Sequence, residues 1–253
     1  IASAFPVLWP YRVPVALLLL AVITVLNLRG LRETGTLMAI PVYLFLLTYL
    51  MMIIYGLIRA GIEGPGSLAA APLPPGTAVT LPLALRAFSA GCTALTGIEA
   101  ISNGVPAFRP PESRNAGRTL MVMAALMGLL FLGSLGLIQL FAGVAGPQET
   151  ILSALARRIL GSGPAYIAVQ ATTMLILAVA TNTSFAGFPR LAALLATDGF
   201  IPRQLAGLGD RLVYANGIVL LAVATGGLIV LFGGDSHALI PLFAVGVFLG
   251  FTL

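Results

Sequence analysis

Glu99 stands in the middle of an apolar run, where a carboxylate needs a reason to be. The run from Val79 to Pro106 contains Thr93-Ala-Leu-Thr96-Gly97-Ile-Glu99-Ala-Ile-Ser102-Asn103-Gly104. Burying an ionised carboxylate in hydrocarbon is expensive, so Glu99 must either hold its proton or be neutralised by a bound cation. A group that chooses between proton and cation can couple the movement of one to the other. The plainer use of such a residue is packing, as a protonated carboxyl bonded to a nearby backbone carbonyl. The Thr96-Gly97 pair at the centre is a poor place for an unbroken helix, and a break is predicted there. A break in lipid leaves backbone N–H and C=O groups unpaired, which is tolerated only where they line an enclosed or watery cavity. Transporters use such half-helix ends to hold ions and substrates. Thr96 offers a hydroxyl and a carbonyl oxygen, and Glu99, three residues on, projects from the same face. The candidate binding set on this span is Thr93, Thr96, Gly97 and Glu99, with Glu99 as the proton-coupling group. Ser102 and Asn103, one turn below, suit a proton relay or a helix-end cap.

A second polar cluster, Thr181-Asn182-Thr183-Ser184, lies in another apolar run that also carries Thr172 and Thr173. Its hydroxyl and amide oxygens suit a hard monovalent cation. Ser, Thr and Asn also join helices to one another by hydrogen bonds, which is the competing use. Signals for other chemistry are missing. There is no Walker sequence, no His-Glu-x-x-His pair, a single His (His237) and a single Cys (Cys92), so no cofactor or metal is expected and an enzyme is poorly supported. His237 reads as an interfacial residue. Gly128, Gly133 and Gly136 read as close-packing surface.

These residues must be positioned by membrane-spanning helices. The chain has 253 residues, 59% hydrophobic and 8% charged, with a mean hydropathy of +1.06. Soluble domains carry about 25% charged residues, so the bilayer is the implied solvent. A spanning helix needs about 20 apolar residues. Seven stretches meet or approach that: Val13 to Leu28, Gly35 to Ile58, Val79 to Pro106, Thr119 to Val144, Ala165 to Ala186, Val213 to Phe232, and His237 onward. All thirteen basic residues are Arg, with no run that would track a nucleic acid backbone. Arg29, Arg32, Arg109, Arg114, Arg118, Arg190, Arg203 and Arg211 fall in one set of alternate loops; Arg12, Arg59, Arg157 and Arg158 fall in the other. Arginine accumulates on the cytoplasmic side, which places the first set inside and the start of the chain outside. With Ile at position 1, the chain is expected to be an excerpt preceded by an odd number of spans. Gly61 to Gly76, rich in Gly and Pro, reads as an extended external connection. Gln148 to Leu160 reads as a short amphipathic helix, either a lid over the outer mouth or a helix lying on the membrane.

The run Thr93-Ala-Leu-Thr96-Gly-Ile-Glu99-Ala-Ile-Ser-Asn-Gly-Val-Pro106, followed by Pro110 to Asn115, resembles the amino acid–polyamine–organocation (APC) transporter superfamily, and within it the KimA-type potassium importers. Asn27 to Glu33, Asn182-Thr-Ser-Phe185, Phe188-Pro-Arg-Leu191, Gly209-Asp-Arg-Leu212 and Ile240 to Gly246 carry the same likeness. The resemblance implies an all-α polytopic protein with the LeuT-like inverted-repeat fold of five plus five helices. Residues 1–253 would be an interior fragment of one transmembrane domain, corresponding to membrane segments four to ten. The span around Glu99 would be the discontinuous sixth segment. It further implies proton-coupled potassium uptake across a prokaryotic cell membrane, with Thr96 helping to bind the cation and a homodimer as one open assembly state. The chain departs from the pattern at Gly187, where an acid is expected, and at Phe243, where a Tyr is expected. The alternative is an amino-acid permease of the same superfamily. An amino acid needs bare backbone amides for its carboxylate and carbonyls for its ammonium, whereas an acidic Glu99 fits a cation better.

Overall fold

The computed structural model describes residues 5–30, 35–63, 80–92, 97, 101–102, 104–105, 108–141, 149–207, 209 and 214–252, and among these there is no strand. A chain without polar cover must satisfy its own backbone, and the α-helix does this within one segment. The helices described in full are α1 (Arg12–Leu28), α2 (Gly35–Glu63), α3 (Leu81–Cys92), α4 (Glu112–Leu140), α5 (Ile151–Leu160), α6 (Pro164–Thr197), α7 (Ala215–Leu231) and α8 (Ser236–Thr252). Short 3-10 turns at Pro6–Tyr11 and Arg203–Leu205 precede α1 and α7. Among the described residues, four helical stretches are long and apolar enough to cross a membrane: Val7–Leu28, Met38–Ile62, Glu112–Leu140 and Pro164–Thr197. Ala215–Leu231 and Ala238–Gly250 are shorter apolar helices. α3 lies within the expected stretch Val79 to Pro106, much of which falls outside the described residues. Large apolar side chains such as Leu18, Leu47, Leu132 and Val223 point outward on these helices, as lipid rather than water permits.

The chain forms two compact units. In the first, Ile1–Ile58 with Ala145–Gly234, α1 lies against α7 and both pack on α6. Its core is Leu20 of α1, Phe185 of α6 and Ile218 of α7, with Ile23, Leu221, Ala222 and Ile229 around them. The α6–α7 crossing is very close, because Gly217 sits directly on Pro189: a Cβ at 217 would lie 2.9 Å from the proline Cβ. In the second unit, Arg59–Val144 with Asp235–Leu253, α3 packs on α8.

Two expectations change. The fifth span was expected to close near Ala186, with Arg190 in a loop, but α6 continues through Pro189 to Thr197. Its 34 residues rise about 51 Å, well beyond the roughly 30 Å hydrocarbon thickness. Pro189 is accommodated by tight packing on α7 instead of ending the helix. The amphipathic segment, of which Gln148 lies outside the described residues, is helical over Ile151–Leu160 and packs by one face on α6. Its apolar face, Ala154, Leu155, Ala156 and Ile159, is buried.

Candidate functional site

α3 ends at Cys92, and Gly97 has a φ of +106°, a backbone conformation that no right-handed helix contains and that only glycine adopts without strain. Helical geometry is present again at residues 101 and 102. The helix is therefore interrupted at Gly97, and the residue type explains it: without a Cβ, Gly97 can reverse the sense of φ at no steric cost. Thr93, Thr96, Glu99 and Asn103 lie outside the described residues. Ser102 is described and exposed. With Ile101, Val105, Ser113, Ala116, Gly117 and Leu120 it lines a cavity of about 240 Å³ against the first two turns of α4.

The Thr181–Ser184 cluster is wholly helical, and successive residues of an α-helix project about 100° apart. The four side chains consequently do not converge. The Thr181 hydroxyl donates to the Leu177 carbonyl at 2.9 Å and the Thr183 hydroxyl to the Val179 carbonyl at 3.1 Å. Thr183 and Ser184 are exposed. Asn182 faces α1, where its Oδ1 accepts from Asn27 Nδ2 at 2.7 Å; the same Asn27 amide also donates to the Ile23 carbonyl at 2.9 Å. Thr181 instead faces a cavity of about 440 Å³ between α1, α6 and α7, lined otherwise mostly by apolar side chains. Thr172, eight per cent exposed, bonds Thr48 of α2 hydroxyl to hydroxyl at 2.9 Å. The contacts at Thr172 and Asn182 are thus helix-joining bonds of the kind expected between membrane helices.

The sequence reading missed the ties made at helix ends. Arg12 at the start of α1 donates from Nε to the Gly233 carbonyl at 2.7 Å, with its guanidinium 4.8 Å from the Trp9 ring centroid. Gly233 and Gly234, both at positive φ, end α7 and turn the carbonyl toward Arg12. At the other short helix, Glu149, Ser153, Arg157 and Tyr166 join α5 to α6. The Tyr166 hydroxyl bonded to Arg157 is the main cause that raises this guanidinium above its ordinary value; burial opposes it and Glu149 adds to it. Only Gly233-Gly234 carried a local signal, that of a helix stop; the partners themselves are far apart in the chain.

A sequence model of the amino acid permease family matches residues 5–253. The chain belongs to this family. The potassium transporter KimA of Bacillus subtilis (strain 168) is 46% identical over 256 residues, an alignment that covers all of this chain and 42% of that protein. The chain thus spans less than half the length of the curated relative it matches. Membership and the spanning helices together make this permease a multi-pass protein of the cell membrane, and its helices form part of the LeuT-like fold. The broken span at Gly97 is the feature that such a permease would build a site around.

Proposed function

We propose that the protein to which this chain belongs takes up potassium together with protons. The observation that carries the reading is the 46% identity, along the full chain, to a protein named as a potassium transporter. The positive φ of Gly97 supports it, because a helix interrupted in mid-span is the element around which transporters build their sites. In this reading Thr96, with Thr93 and Gly97 beside it, supplies oxygen ligands to the dehydrated cation. Glu99 takes up a proton from the outer side as the cation binds at Thr96 and releases it on the inner side as the cation leaves, so each ion moved inward is accompanied by a proton. Ser102 and Asn103 form the outlet of that proton path. Within its own unit, Thr181 offers a hydroxyl oxygen to the cavity between α1, α6 and α7, where Asn182 ties α6 to α1. Residues 1–253 act as membrane segments four to ten of one transport domain, which performs transport and no covalent chemistry.

The family description favours a second reading, an amino acid as substrate, held by its carboxylate on bare amides at the half-helix end. Uptake into proteoliposomes by the full-length transporter separates the two. Rubidium, standing in for potassium, is expected to enter under an inward proton gradient, with uptake reduced about tenfold or more in Glu99→Gln and in Thr96→Val. Entry of labelled amino acid without rubidium flux would refute the potassium reading. Normal, pH-independent rubidium uptake by Glu99→Gln would refute the proton role.

A further inference from the structure

α5 and α6 are separated by only three residues, Gly161 to Gly163, and Gly161 has a φ of +72°. A link of Gly-Ser-Gly imposes little geometry of its own. The two helices are joined by a ring of four polar side chains, three on the α5 side and Tyr166 on α6. The Ser153 hydroxyl donates to Glu149 Oε1 at 3.0 Å. Ser153 Oγ and the Tyr166 hydroxyl are 2.8 Å apart. Arg157 Nη2 donates to the Tyr166 oxygen at 3.1 Å and lies 3.2 Å from Glu149 Oε1. The hydrogen positions follow from the groups present. A carboxylate only accepts and a guanidinium only donates, so the single serine hydrogen goes to Glu149 and the tyrosine hydrogen goes to Ser153. Every donor in the ring meets an acceptor, and the ring closes on itself.

The ring is also sheltered. Ser153 has no exposed surface and Tyr166 is four per cent exposed, while Ala156, Leu155 and Ile159 fill the space beside them. The Arg157 guanidinium covers the Tyr166 ring at 5.3 Å. Thr150 caps the first turn of α5 by accepting from the Ser153 amide at 3.3 Å. Separating α5 from α6 would break both bonds to the Tyr166 hydroxyl, those to Ser153 and Arg157, while the Glu149–Arg157 pair stayed together on the α5 side.

We propose that this ring is a latch that makes α5 and α6 one rigid corner, so that α5 is a fixed ledge on α6 and not a lid that swings. Tyr166 is the keystone, since its hydroxyl joins both Ser153 and Arg157. The inference stands whichever solute the permease carries.

Hydrogen exchange on the full-length transporter in lipid nanodiscs tests it. The α5 amides of the unaltered protein are expected to be protected, and equally so with and without potassium. Tyr166→Phe, which keeps the ring but removes the hydroxyl, is expected to speed α5 exchange about tenfold or more while the middle of α6 is unchanged. Ser153→Ala, which removes one of the two bonds that cross to α6, is expected to give a smaller rise of several-fold and serves where Tyr166→Phe does not fold. Unchanged α5 exchange in the folded variants would overturn the latch. So would a potassium-dependent change of tenfold in the unaltered protein, since that is the signature of a moving lid.

Discussion

Replacing Gly217 by alanine places one methyl group where α6 and α7 touch. Its Cβ would lie 2.9 Å from Pro189 Cβ, 3.0 Å from Pro189 Cα and 3.6 Å from Pro189 Cγ. Apolar carbons sit best at about 3.5–4.0 Å, so the shortfall is at least about 0.6 Å, taken as 3.5 less 2.9. The opposing atoms belong to a proline ring within a helix and to its backbone, so no flexible tip can swing aside; the helices themselves must part. Parting by that amount would forfeit a quarter or more of the dispersion energy across the contact, where Phe185 and Ile218 are buried. Overpacking of this kind costs about 1–3 kcal/mol. Gly227→Ala provides the comparison, since it is on the same helix and its added methyl meets nothing within 4 Å. Both variants gain helix propensity of up to about 1 kcal/mol, so their difference isolates the clash. Reversible unfolding of the full-length permease in mixed micelles should place Gly217→Ala about 1–3 kcal/mol below Gly227→Ala. Equal stability would refute the close crossing described for α6 and α7.

Arg12→Ala removes both the bond to the Gly233 carbonyl and the cover over Trp9, and should destabilise the permease by about 1–2 kcal/mol in the same unfolding measurement. Arg12→Lys should recover only part of this, because an ammonium lacks the planar group that bonds the carbonyl while lying over the indole. The Thr48–Thr172 bond should show a coupling near about 0.6 kcal/mol in a double-mutant cycle with valine at each position, the usual scale for such bonds between membrane helices.

The helical character and the membrane setting were legible from composition, because lipid leaves a backbone few other ways to satisfy its polar groups. So was the discontinuity at Gly97, since a Thr-Gly pair at the centre of a span combines weak helix propensity with the one residue type that takes positive φ freely. The α5 helix was legible for a different reason: its apolar and polar faces differ, as they do wherever one side meets water or polar groups. The length of α6 was not. Arg190 was expected in a loop, whereas the helix continues past Pro189, which is buried against Gly217 of α7.

The pairing of helices needed the tertiary structure. Arg12 meets Gly233, Asn27 meets Asn182 and Thr48 meets Thr172 across 221, 155 and 124 residues of chain. In lipid the outward face of a helix is as apolar as the inward face, so the hydrophobic pattern that reveals the buried side of a soluble helix is absent. Which polar groups meet is then decided by how closely two surfaces can approach. The sequence by itself determined that helices cross a membrane and that one of them breaks at Gly97. Shape complementarity, as where Gly217 admits Pro189, decided which helices touch and whether Asn182 faces a neighbouring helix or the cavity that Thr181 lines.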